Sequence, residues 1–382
     1  MFKQYNFGGA GEYVIDTEGK VISSNAFNFI GRFTDTGFAY AEWNEGDETL
    51  CGYIDNHGKL IGGKKYKVGE IDNQTVDGQE FFLAVNGEMA EIYNLEGMKT
   101  GEIKKPYLVL CFQKCGLASV CNSKDGVGCV DETGTFVIEP KYKTSIFFDD
   151  NGIAVTEDVD GNSVCLSSAG EAKFTLYDVW IGSFLGEQFA LAGDKESGLY
   201  GYVNQSGEYL VEPCFSEARG FSEGYAAVMD DNGKWGFIDS NGKIVISPQY
   251  ESVGDFKEGV AAVKNSQNLV GVVNKDNNYV IEPKYQEIMD FSQGYAVVEK
   301  QNGKYTYVDK NGVEMNEEYD SAGDFGKDKI ARVKKDGLFG YIKTDGTWLL
   351  KPQFDTAFDY HGGYAVVKLG LWQKVKKGLL FQ

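Results

Sequence analysis

Residues 233–263 read GKWGFIDSNGKIVISPQYESVGDFKEGVAAV, and this stretch decides the fold. Trp235-Gly236-Phe237-Ile238-Asp239 is a short run of aromatic and β-branched residues, the composition of a strand. Ser240-Asn241-Gly242 follows as a tight turn, where Asn and Gly are expected to supply positive φ, and Lys243-Ile244-Val245-Ile246 returns as a second strand. Pro248 has no N–H for a ladder and is expected to stop that strand. Tyr250 is expected to pin the connection onto the core, and Phe256 to precede a third strand, Gly259-Val260-Ala261-Ala262-Val263. Small Gly259 and Ala261 suggest close approach of neighbouring backbones.

The same frame recurs at residues 198–228, 269–298 and 337–367. Aligned on Gly242, the turn position falls at Gly19, Gly58, Gly97, Gly134, Gly170, Gly207, Gly242, Asn277, Gly312 and Gly346, spaced 34 to 39 residues apart. Self-similarity at such a period is the mark of a repeat array, in which each unit buries its apolar face on its neighbours. Five prolines, Pro140, Pro213, Pro248, Pro283 and Pro352, share one slot, followed by the aromatics Tyr142, Phe215, Tyr250, Tyr285 and Phe354. The second aromatic slot is assigned to Phe221, Phe256, Phe291 and Phe358.

The expected fold is therefore all-β: a tandem array of about ten three-stranded antiparallel β-repeats. The units are shorter and more numerous than common propeller blades, which favours an open β-superhelix; a β-propeller-like ring, or two smaller rings, is the alternative. Residues 1–125 hold divergent repeats 1–3, 126–197 repeats 4–5, 198–369 the well-formed repeats 6–10, and 370–382, with Trp372, a partial repeat acting as C-terminal cap.

These residues resemble the bacterial WG-repeat, or KWG-repeat, proteins, whose signature is Lys-Trp-Gly-Phe/Tyr-Ile-Asp, a glycine turn and a later Phe-x-x-Gly-x-Ala-x-Val. The pattern is strong from Gly198 onward and weaker before Gly126. It departs where Cys51, Val127, Tyr200, Val270, Tyr305 or Phe339 replaces the tryptophan and Thr306 the glycine. The resemblance implies a repeat module with no fixed activity and no catalytic set.

Hydrophobic residues are 42% and charged residues 25%, the balance of a folded protein. Thirty-seven basic against 57 acidic residues give a net charge of −20, which repels phosphate backbones and argues against nucleic acid. The N-terminus lacks a signal-peptide pattern and no stretch matches a bilayer-spanning helix, so a cytoplasmic protein that does not engage membranes is expected. Seven cysteines argue against a disulfide framework. Cys51, Cys129, Cys165 and Cys214 occupy repeat slots of small buried or half-buried hydrophobes, and Cys111, Cys115 and Cys121 do not have zinc-knuckle spacing.

No catalytic constellation, metal site or cofactor site is expected. His57 lies in a hairpin turn and His361 in a loop, both expected to be exposed. Gly8-Gly9-Ala10-Gly11 lacks the context of a phosphate loop. Acidic clusters at Glu45, Asp47 and Glu48, at Asp149 and Asp150, and at Asp158 and Asp160 recur at turns, where Asp caps its own backbone. Asp158-Val159-Asp160-Gly161-Asn162 resembles the start of a calcium loop, but Ala169 stands where the closing glutamate belongs. Trp180 is read as buried packing. Trp43, in an acidic insertion, is the one candidate contact residue; otherwise the binding residues are unassigned.

The leading expectation is a non-catalytic protein-binding scaffold or adaptor, with a basic protein as the charge-matched partner. A carbohydrate or cell-wall reader with a shallow site per repeat, and an acidic inhibitor or immunity protein occluding a cationic enzyme, are the rivals. Nothing in the sequence assigns an oligomeric state.

Overall fold

The structure, a computed structural model, describes residues 11–23, 27–34, 36–71, 81–86, 89–104, 108–122, 124–185 and 187–368. The expected cap at 370–382 and residues 8–10 of the glycine-rich start lie outside the described residues. Among the described residues the fold is an all-β array of ten small antiparallel sheets of three or four strands, in meander order except where the first and last described strands share a sheet. The seventh sheet shows the unit: Glu217–Ser222, Tyr225–Met229, Trp235–Asp239 and Ile244–Tyr250 pair successively.

The sheet and the sequence repeat are out of phase. Trp235 pairs with Met229, so the third strand of one sequence unit and the first strand of the next share a sheet across the turn at 230–234. The chain changes sheet after Tyr250 instead, where Ser252–Val253 opens the eighth sheet. This short strand is the fourth strand missing from the three-stranded expectation.

The ten turn positions share one geometry. Gly242 has φ +76°, Asn277 +62°, and the other eight glycines of the slot are likewise left-handed. Gly242 N donates to Asp239 O at 2.9 Å, and Asp239 N to Lys243 O at 2.9 Å, enclosing a three-residue loop whose positive φ falls on Gly242. Asn241 is not in that region, contrary to the expectation that both residues share it. Its amide instead donates to Asp239 Oδ1, which also accepts from Lys243 N. These hydrogen bonds hold the Asp239 carboxyl below its ordinary value, Lys243 N contributing most.

The proline slot differs from expectation as well. Pro248 lies inside the strand Ile244–Tyr250, at a bulge where Trp235 faces Tyr250 and Phe237 faces Ile246. A bulge leaves residues unpaired, so a missing N–H costs no ladder bond there. The bulge presses backbone onto Gly236: a β-carbon there would stand 2.3 Å from Ile246 O and 2.7 Å from Pro248 N. Gly128, Gly201, Gly271 and Gly340 meet Pro140, Pro213, Pro283 and Pro352 in the same way. At Thr306 the regular outer strand is absent, and the hydroxyl lies 3.1 Å from Met315 O and 2.9 Å from Glu317 O.

The array is closed. Glu12–Asp16 pairs with Tyr364–Lys368, Val14 opposite Val366, so the first and last described strands complete one sheet with Thr356–Ala357. Tyr360 Oη donates to Asp16 O at 2.7 Å across this seam. Among the described residues a buried cluster occupies each of the ten junctions between successive sheets. The tenth sheet packs on the first through Ile330, Tyr341 and Tyr13, and the first on the second through Val14, Val366 and Phe27. The ring alternative thus replaces the open superhelix. An open array would leave two apolar end faces exposed, and terminal strand exchange buries both.

Burial follows the slots, with three corrections. Trp235, Tyr250, Phe256 and Ala261 are buried, and Gly259 sits at φ +83°. Phe358 is 45% exposed, and the second aromatic slot belongs to Tyr360, which is buried. Trp180 is 44% exposed rather than packed inside. Cys214 is exposed beside the Pro213 bulge, whereas Cys51, Cys129 and Cys165 are buried. Burial pushes the Cys129 and Cys165 thiols up to about 12 and about 11.

Candidate functional site

Several sites considered from sequence are used structurally. Asp158 Oδ1 accepts from Asp160 N and Asn162 N, and its Oδ2 from Asn162 Nδ2, so this carboxylate caps its own turn. Asp149 Oδ1 does the same for Asn151 N and Ile153 N, and Asp150 pairs with Lys114 at 3.1 Å. Glu45 and Glu48 face each other at a hairpin end and pair with Lys65 and Lys67 at 2.7 and 3.7 Å. His57 is exposed in its turn. His361 is half-buried, with Arg32 Nη2 3.0 Å from its Nδ1, a contact across the closure seam that sequence spacing does not foretell.

At that seam a cavity of about 460 Å³ lies between the first and second sheets. Its wall includes Phe29, Arg32, Phe358 and His361. Phe29 occupies the slot held by Ser252 in the eighth sheet, and Phe358 the slot of Gly254, so both aromatics depart from the repeat.

A row of carboxylates escaped the reading of the sequence. The residue before the buried second aromatic is aspartate in four successive sheets: Asp255, Asp290, Asp324 and Asp359. The acids cross the sheet junctions: Asp290 Oδ1 is 3.6 Å from where a β-carbon on Gly254 would stand, and Asp359 Oδ1 3.4 Å from that of Gly323. Burial, then the charge of Asp255, raises the Asp290 pKa against the pull of Lys257 and Arg219. Burial, then the charges of Asp290 and Asp359, raises that of Asp324. Asp255 Oδ1 is buried without a hydrogen bond, its charge facing Arg219 Nη1 at 3.9 Å, while Asp359 meets Arg332 Nε at 3.0 Å. Arg32 takes the aspartate slot in the second sheet, so arginines bound the row at both ends. The signal was present in the sequence as a charged residue repeating at one slot away from any turn.

Trp43 lines a second cavity, of about 410 Å³, with Phe27, Asn28, Asn44, Leu60 and Lys65. It is half-buried and meets Phe27 edge-on, ring centroids 6.3 Å apart. Asn28 Nδ2 donates to Asn44 Oδ1 at 2.7 Å, and Thr49 Oγ1 to the same oxygen at 3.0 Å.

The sequence matches the WG containing repeat six times, over residues 128–161, 200–235, 235–268, 271–305, 305–339 and 339–370, together more than half of the chain. A search of curated proteins finds no match. Among solved structures, a eukaryotic initiation factor is similar at 8% identity and TM-score 0.48, over 82% of this chain and 97% of that one. The computationally designed Ika8 protein is similar at 13% identity and TM-score 0.38, over 72% and 95%. BamB from Moraxella catarrhalis is similar at 10% identity and TM-score 0.34, over 90% and 96%. Likenesses this low carry no weight for fold or activity. The six matches cover the same slots that form the glycine–proline contacts and the sheet junctions, and by them the chain belongs to the family of proteins with the WG containing repeat.

Proposed function

We propose that this ring is a non-catalytic scaffold that binds another protein, and that a basic segment of the partner lies along the aspartate row. The observation that carries this reading is Asp255, Asp290, Asp324 and Asp359 standing at one slot of four successive sheets, where their like charges oppose one another. A row of lysine or arginine side chains relieves that repulsion, and the net charge of −20 steers such a partner toward the ring.

The test is capture of partners from the native host at low and moderate salt, followed by kinetics with the protein captured. Association should slow as the Debye length falls from about 10 to 3 Å. Asp290→Asn with Asp324→Asn should weaken binding by about tenfold or more. A partner whose on-rate ignores salt, or which binds the double variant as well as the parent, defeats this reading.

A further inference from the structure

The geometry points to a saccharide-binding site in the second sheet, with the indole of Trp43 as platform and the amides of Asn28 and Asn44 as its polar contacts. Three departures from the repeat build it. The hairpin strands Phe38–Glu45 and Glu48–Asp55 have eight residues each, against five in the matching Val260–Lys264 and Val270–Asn274. The added length extends the two-stranded hairpin, with Trp43 opposite Leu50 and Asn44 opposite Thr49; the residue matching Trp43 in the eighth sheet is Asn265, which caps a turn. The repeat itself thus places no aromatic at position 43; one side of the Trp43 ring packs on the cluster between the first and second sheets, against Phe27, and the ring also borders the cavity.

The second departure is at Gly52, which occupies the glycine slot of Gly236 but has no proline bulge over it. The chain passes instead through the short 3-10 turn Ile61–Gly63. Leu60 and the Trp43 ring close over Gly52, at 2.6 and 3.3 Å from where its β-carbon would stand. The rerouted segment and its flanks supply Leu60 and Lys65 to the cavity lining beside Trp43.

The third departure is chemical. With Asn44 Oδ1 already accepting from Asn28 and Thr49, Asn44 Nδ2 remains as donor and Asn28 Oδ1 as acceptor, neither taking another partner among the described residues. Lys65, the one charged residue of the lining, is paired with Glu45 at 2.7 Å. The cavity thus offers an aromatic face, an amide donor and an amide acceptor, with its cation already neutralised. A sugar ring fits that set: its C–H face stacks on the indole, and neighbouring hydroxyls both donate and accept. An anion would find its cation already occupied, and a hard metal ion would find too few oxygen ligands.

The site stands apart from the aspartate row, so either can fail without the other. Titration calorimetry with tri-N-acetylglucosamine and with maltotriose tests it on the full chain and on three variants. Saturable binding of at least one probe is expected, weakened by about tenfold or more in Trp43→Ala and Asn44→Ala and unchanged in Trp180→Ala. Trp43→Phe should recover part of the loss. Should Trp43→Ala lower the melting temperature, Asn44→Ala decides. Neither probe binding at millimolar concentration, equal binding by Asn44→Ala, or Trp43 proving essential only for a protein partner would overturn the proposal.

Discussion

Gly236 lies beneath the bulge of Pro248, close enough that a β-carbon on the glycine would overlap the proline nitrogen at 2.7 Å and Ile246 O at 2.3 Å. The contact is backbone on backbone, so no side-chain rotation can relieve it. Gly236→Ala should therefore cost about 1–3 kcal/mol, the usual penalty of overpacking. Denaturant titration measures it, and an unchanged midpoint would mean that the bulge yields freely.

Gly242 sits at φ +76°, and a β-carbon there would also stand 2.8 Å from Val211 Cγ2 of the preceding sequence unit. Gly242→Val should cost about 1–3 kcal/mol from backbone strain alone. Gly242→Asn should be better tolerated, since Asn277 fills the same slot at φ +62°. Equal melting curves for the two variants would show that strain is not what selects glycine here.

Val14 and Val366 face each other in the strand pair that closes the ring. Val14→Cys combined with Val366→Cys should form a cystine on mild oxidation, because directly opposed antiparallel residues bring their α-carbons within about 4.5–5.5 Å, inside the range a cystine spans. Non-reducing digestion and mass spectrometry identify the linked peptides. Recovery of only unlinked peptides from the oxidised, folded variant would mean that the ends stand apart.

Asp324 carries a pKa raised first by burial and then by Asp290 and Asp359. A carboxyl whose folded pKa exceeds its unfolded one destabilises the fold when ionised, and that penalty fades as pH falls through the folded value. Asp324→Asn should thus stabilise the protein at pH 7, by less than about 1 kcal/mol because solvent reaches this group. The gain should vanish below the unfolded aspartate value of 3.8. Melting curves at neutral and acid pH test this, and a gain that persists in acid would refute a charge origin.

The sequence by itself determined the local elements and their repetition. Ten turn positions, the aromatic or β-branched strand before most of them and the glycine-led third strand of the regular repeats are readable because turn conformation and strand alternation depend on residues a few places apart. The proline slot was also visible, but its purpose was not: that Pro248 covers Gly236 depends on the register between two strands, which shifts at the bulge. Trp43 stood out as an aromatic outside any repeat slot, yet its cavity needs Asn28, Ile54 and Leu60 from separate segments. The aspartate row went unread although its charge repeats at one slot of the sequence, because only packing of successive sheets makes those charges neighbours. Closure was decided by tertiary structure alone. The strands Glu12–Asp16 and Tyr364–Lys368 meet because the small rotation between successive sheets accumulates around the array, and no local pattern encodes where that sum brings the two ends.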